Sequence, residues 1–182
     1  MAASSGAAGI PTGPQTDYGA DDPNILYSGR VDFTDPTAPQ FSAPGVTIRA
    51  NFHGNSPAIK LKDSRESGNP NYFDVLVDDQ PPVKIRPTLL STTYPLAVQL
   101  ADGDHTVTVT KRTEAAIGYA TFLGFKFGGS ILPPPAAAAH KLEIIGDSIT
   151  AGAGTEAVDG SAQCMDTSGE SAHSARRSFR TR

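Results

Sequence analysis

The 182-residue sequence predicts a mainly β chain. A jelly-roll-like antiparallel β-sandwich spans residues 25–131, and a second unit that opens with one small strand follows it. Three observations carry this. Short runs alternate apolar and polar residues with a period of two, the pattern of strands that bury one face. Clusters of Gly, Pro, Asn and Asp separate those runs at short intervals. Before residue 140 the one stretch with helical texture is brief, around Glu114 to Ile117.

Residues 1–24 are small, polar and rich in Gly and Pro, and read as a mobile leader. They lack the basic n-region and apolar h-region of a signal peptide. Alternation then begins. Val46, Ile48, Ala50 and Phe52 are interleaved with Thr47, Arg49 and Asn51; Ile59 and Leu61 with Lys60 and Lys62. Phe73, Val75 and Val77 oppose Asp74, Val107 and Val109 oppose Thr106, Thr108 and Thr110, and Phe125 and Phe127 flank Lys126. These residues, with Leu96 and Val98, form the expected core. Asp35-Pro36, Pro44-Gly45, His53-Gly54-Asn55, Ser67-Gly68-Asn69-Pro70, Asp78 to Pro82 and Asp102-Gly103-Asp104 supply the turns. About eight short strands so spaced suit a sandwich.

Residues 132–140 (LPPPAAAAH) read as a semi-rigid linker held extended by three prolines. Residues 141–182 open a second unit with a small strand at Leu142, Ile144 and Ile145, then Gly146-Asp147-Ser148-Ile149-Thr150-Ala151-Gly152-Ala153-Gly154.

Composition excludes several classes. No apolar run approaches 18 residues, so no transmembrane helix is written here. One cysteine, Cys164, cannot build a disulfide scaffold. A formal charge of −4 argues against general nucleic-acid binding, although four of the 15 Lys and Arg residues (Arg176, Arg177, Arg180, Arg182) crowd the last seven positions.

Ser148 is the candidate nucleophile. A strand followed at once by Gly-Asp-Ser places a hydroxyl on a tight strand-to-helix turn, near N–H groups that stabilise a developing oxyanion. It still needs a base. For a lone G-D-S the competing reading is a plain helix cap at Asp147 or Ser148.

The longer string, Lys141 to Gly154, closely resembles the first block of the GDSL (SGNH) hydrolases. The preceding residues narrow the resemblance to the two-domain enzymes of carbohydrate esterase family 2, which are acetylxylan-esterase-like. The carriers are Phe41-Ser-Ala-Pro-Gly-Val46, Phe52-His-Gly54, the V-L-V-D-D within Tyr72 to Asp79, Leu100-Ala-Asp-Gly-Asp-His105, Val109-Thr-Lys-Arg112 and Gly124-Phe125. The resemblance covers about residues 25–155. It implies a sandwich beside an α/β/α SGNH hydrolase domain that removes acetyl groups from plant polysaccharides, with the first strand and helix of that domain, left incomplete, in this chain. Ser148 matches the nucleophile and one oxyanion N–H, and Asp147 supports the motif. No cofactor and no metal are implied; the implied partner is an acetylated polysaccharide or oligosaccharide, with neither nucleic acid nor membrane.

The family's other oxyanion donors, a Gly and an Asn, and its base, a His in a D-x-x-H block, belong to later blocks. Only 42 residues follow His140, and after Cys164 to Ser174 the text departs from the pattern. The resemblance therefore implies a truncated enzyme with little activity, and a non-catalytic carbohydrate-binding or accessory module is the alternative. The family is typically secreted, while this chain shows no signal peptide. Asp102-Gly103-Asp104-His105 does spell D-x-x-H, but upstream of Ser148, where it reads as a solvated turn. His173 lies on the expected first helix, and His53 and His140 are expected to face solvent. Asp21-Asp22 and Asp78-Asp79 read as solvated turn carboxylates rather than a calcium site. Tyr18, Tyr27, Tyr72, Tyr94 and Tyr119 read as core or rim, and Cys164 as an ordinary thiol.

Overall fold

The computed structural model describes residues 14–65, 68–96 and 100–136. Eleven strands fill them: β1 (Thr16–Tyr18), β2 (Leu26–Ser28), β3 (Gln40–Phe41), β4 (Thr47–His53), β5 (Ala58–Arg65), β6 (Phe73–Val77), β7 (Val83–Ile85), β8 (Thr93–Pro95), β9 (Asp104–Lys111), β10 (Gly118–Phe127) and β11 (Ile131–Leu132). One 3-10 turn, Ala115–Ile117, lies where the sequence has its brief helical texture.

The strands form two antiparallel sheets. One runs β1-β10-β5-β8, with β3 joining β10 beyond β1; the other runs β11-β4-β9-β6-β7, with β2 joining β4 beyond β11. Each sheet thus has one edge made of two very short strands laid end to end. Short edges limit the row of unpaired backbone groups open to another chain.

Alternation fills the space between the sheets. Of the expected core, Val46, Ile48, Phe52, Ile59, Leu61, Phe73, Val75, Val77, Leu96, Val107, Val109, Phe125 and Phe127 are all buried. Val98 lies outside the described residues. Aromatic rings join the layers: Phe52 of one sheet stacks on Phe127 of the other at 4.4 Å between ring centres, 2° from parallel. Phe127 continues to Phe125, and Phe125 to Phe122 edge-on.

The structure shortens the leader. Thr16, Asp17 and Tyr18 pair with Phe127, Lys126 and Phe125, so the sandwich begins well before residue 25. Three residues are too few to display a period, and their stability comes from a partner more than 100 positions away. Asp17 adds ion pairs to Lys60 and Lys126 at 2.9 and 3.0 Å, which hold its carboxyl below the usual range.

At one end of the sandwich the core turns polar. Asn71 donates to Asp63 Oδ1 at 2.7 Å and accepts from Thr113 Oγ1 at 2.7 Å, while Arg65 Nε donates to Asp63 Oδ2 at 2.7 Å. The Lys111 ammonium is buried and donates to Thr113 O at 2.6 Å, Thr113 Oγ1 at 3.1 Å and Glu114 O at 3.4 Å. Burial pushes its pKa down to about 8, against the pull of Glu114 and Asp63. Arg112 and Asp74 form a buried ion pair beside it.

Candidate functional site

Ser148, Asp147, His140, Cys164 and His173 lie outside the described residues. What the described residues build is the platform from which that segment departs. The chain leaves through β11, which pairs Ile131 with Phe52 and Leu132 with Asn51, and the Asn51 side chain donates to Pro133 O at 3.0 Å. The first proline of the linker is therefore tied to the sandwich.

A polar cluster surrounds this exit. Residue by residue, β4 lies against β9 with Asn51 opposite Thr106, Phe52 opposite His105 and His53 opposite Asp104. β6 lies on the other side of β9, and the turn after it brings Asp78 to Thr106: Asp78 N donates to Thr106 O, and Thr106 N donates to Asp78 Oδ1, both at 2.9 Å. Asp78 has φ +53°. Such a left-handed conformation is tolerable for aspartate and costly for most side chains. Asn51, Asp78, Asp104, His105, Thr106 and Leu132 line a shallow depression of about 230 Å³.

Two imidazoles stand in the cluster, and they differ. His53 is about half exposed; its Nδ1 lies 2.7 Å from Asp104 Oδ1 and its Nε2 4.0 Å from Asp102 Oδ1. The exposure expected for it is present. His105 departs from the expected solvated turn. The turn proper is at Asp102-Gly103; His105 already belongs to β9, and its side chain is only 12% exposed. The physical reason lies in the alternation itself, since 105 shares parity with inward-facing Val107 and Val109. Its ring packs against Phe52 at 5.4 Å. Nδ1 lies 2.7 Å from Asp78 Oδ2 and Nε2 3.0 Å from Ala101 O. With both ring nitrogens facing acceptors, His105 has no free lone pair with which to act as a general base.

Asp78, read as a solvated carboxylate, is instead engaged through both oxygens. The tell-tale was the Asp-Asp-Gln-Pro-Pro turn, since aspartate is one of the few residues that tolerate positive φ. Among the described residues no group of three His, Cys, Asp or Glu is arranged to hold a metal ion. Of the tyrosines, Tyr18, Tyr27 and Tyr94 pack against the core, and Tyr72 lies beneath the Lys84 ammonium.

Comparison with known proteins accords with this architecture. The family model "Carbohydrate esterase 2 N-terminal" matches residues 27–135. The chain is 40% identical over 137 residues to Cellulase/esterase CelE of Acetivibrio thermocellus, covering 75% of this chain and 16% of the relative. It is 30% identical over 141 residues to an acetylxylan esterase / glucomannan deacetylase of Cellvibrio japonicus, covering 77% of this chain and 38% of the relative. Among solved structures, a family two carbohydrate esterase from Cellvibrio japonicus superposes with a TM-score of 0.72 at 28% identity, over 81% of this chain and 44% of that one. The chain thus spans less than half the length of each of these relatives. The matched stretch begins in β2 and ends in the linker, so it takes in nearly the whole double sheet together with the exit built by Asn51 and β11, and on that ground the chain belongs to the carbohydrate esterase 2 N-terminal family.

Proposed function

We propose that this chain is the sandwich and the opening of the hydrolase unit of a carbohydrate O-acetyl esterase, with Ser148 as nucleophile and Asp147 supporting its turn. The observation that carries the reading is order: a family sandwich, a proline linker tied to its edge, then Gly146-Asp147-Ser148 directly after a short apolar run. In this reading Ser148 Oγ attacks the acetyl carbonyl and its proton passes to a base. The carbonyl becomes an oxyanion, the sugar alcohol leaves with a proton, and water then hydrolyses the acetyl-enzyme. The substrate class is an acetylated polysaccharide or oligosaccharide, supported by the relative named for acetylxylan and glucomannan.

Downstream of Ser148 these 182 residues contain one histidine, His173, and no D-x-x-H. A positioned base contributes about 10²–10⁴-fold, and each oxyanion donor about 10²–10³-fold. The 182-residue chain is therefore proposed to be a weak esterase by itself. The test is acetate release from acetylated xylan by the purified chain and by Ser148→Ala. Slow release that vanishes in the variant supports the reading. Release unchanged by Ser148→Ala overturns the assignment of the nucleophile. Tight polysaccharide binding with no Ser148-dependent release favours the accessory-module reading.

A further inference from the structure

We propose that His105 is a protonated latch that couples pH to the seating of the linker on the sandwich. The inference is independent of Ser148 and of the esterase reading; it rests on the hydrogen bonds at the chain's exit.

His105 Nδ1 faces the Asp78 carboxylate at 2.7 Å and Nε2 faces the Ala101 carbonyl at 3.0 Å. Neither partner can donate at neutral pH. A neutral imidazole has one N–H, so both bonds exist together only in the imidazolium form. The charge on the ring is therefore written into the geometry. Burial disfavours that charge, but the bonds to Asp78 and Ala101 and the carboxylates of Asp78 and Asp104 outweigh it and raise the pKa above 6.5.

The chain of bonds continues to the linker. Asp78 Oδ1 accepts from Thr106 N at 2.9 Å, and Thr106 Oγ1 donates to Asn51 Oδ1 at 2.8 Å. The Pro133 carbonyl, which can only accept, fixes which end of the Asn51 amide is the donor: its nitrogen donates to Pro133 O at 3.0 Å, leaving Oδ1 to accept from Thr106. One path thus links Ala101, His105, Asp78, Thr106, Asn51 and Pro133. It crosses β9 and β4 and ends on the first linker proline. Asp78 holds its carboxylate in this path at φ +53°, a left-handed conformation that aspartate tolerates and most side chains do not.

The charged groups facing His105 come from three directions. Asp78 faces it from the turn after β6 and Asp104 adjoins it on β9; from β4 comes His53, bonded to Asp104, beside the uncharged Phe52 ring. The sign for His105 is that of a raised pKa. Its contribution is fully present below pH 6.5 and is lost as pH rises through the folded-state value. Loss of the proton discharges the ring, so the charge-assisted bond to Asp78 is weakened even where Nδ1 keeps its hydrogen; Asp78 is then held less firmly, and with it the Asn51 clamp on Pro133.

The test is NMR on the full 182-residue chain. Imidazole nitrogen shifts report the protonation of each ring, Asn51 side-chain amide shifts report the clamp, and amide exchange at Leu132 reports linker seating, with Phe122 in the core as control. The expected result is a His105 midpoint above 6.5 with both nitrogens protonated below it. Asn51 shifts follow that midpoint, and Leu132 exchange accelerates by up to about tenfold per pH unit between pH 6.5 and that midpoint, beyond its intrinsic rise, while Phe122 does not. His105→Gln should flatten the Asn51 response, and His53→Asn should leave it in place. Asn51→Ala should release Leu132 while His105 still titrates. A single-nitrogen tautomer of His105 at pH 6, or Asn51 shifts indifferent to its titration, overturns the proposal.

Discussion

A Cβ placed on Gly124 would stand 2.0 Å from the Tyr18 carbonyl oxygen. The contact explains how a three-residue strand far from the rest of the sequence stays on the sheet. Gly124 has φ +116° and sits at the bulge where the register between β10 and β5 shifts, between Phe122 and Gly124. The bulge turns the backbone so that β1 approaches closer than any side chain would permit.

Gly124→Ala should therefore act on β1 first. The conformational cost at such a φ is about 1–3 kcal/mol, and displacement of Tyr18 adds to it. We expect urea midpoints to fall by the equivalent of roughly 3 kcal/mol. Backbone amides of Thr16 to Tyr18 should lose exchange protection earlier than those of β4 or β9. A change below about 0.5 kcal/mol, the range of a neutral surface substitution, would contradict this account.

The buried pair of Arg112 and Asp74 gives a second prediction, because removing one partner differs from removing both. Their side chains are 8% and 4% exposed. Arg112→Met leaves a carboxylate in the interior, and breaking such a pair costs about 3–5 kcal/mol. Replacing both, Asp74→Leu with Arg112→Met, removes the stranded charge and should recover most of that loss in chemical denaturation. A double variant as unstable as the single one would mean that the remaining contacts of these residues, rather than the stranded charge, set the cost.

The same contrast between local and distant causes separates what could be read in the sequence from what could not. β4, β5, β6 and β9 are each five to eight residues long, enough for alternation to show, and their expected inward residues are buried, although Thr47, Ala58, Asp74 and Thr110 of the opposite parity are covered as well. β1, β2, β3, β7, β8 and β11 have two or three residues each, and all but β7, which folds back on β6, are paired with partners more than 15 positions away. In β10 the bulge breaks parity, so Phe122 and Phe125 are both buried although three positions apart. His105 was legible through its shared parity with Val107 but was masked by the adjacent Asp-Gly turn signal. The exit cluster was not legible, because Asp78, His105, Thr106 and Asn51 meet only when β4, β6 and β9 lie side by side. Asp147 and Ser148 remain readable as chemistry alone, from their motif.

Lys111 supplies the last prediction, in a pH window apart from that of His105. Its ordinary pKa of 10.5 falls to about 8 in the folded protein. Between those values the unfolded chain binds more protons at this site than the folded one, so stability rises with pH. The rise from pH 8 to 10 amounts to about 2 kcal/mol. It should end near pH 10, because burial raises the Tyr27 phenol well above its ordinary 10.0, and ionisation of the unfolded phenol then favours unfolding. Urea midpoints at pH 8, 9 and 10 measure the slope. Lys111→Met removes the titrating group, so its profile should be flat relative to the parent over the same interval. Whatever that variant loses through the unmet carbonyls of Thr113 and Glu114 shifts the whole curve without changing its slope. An identical rise in both proteins would place the proton uptake elsewhere, and a parent curve as flat as that of Lys111→Met through this window would show that the ammonium is not penalised in its oxygen cage.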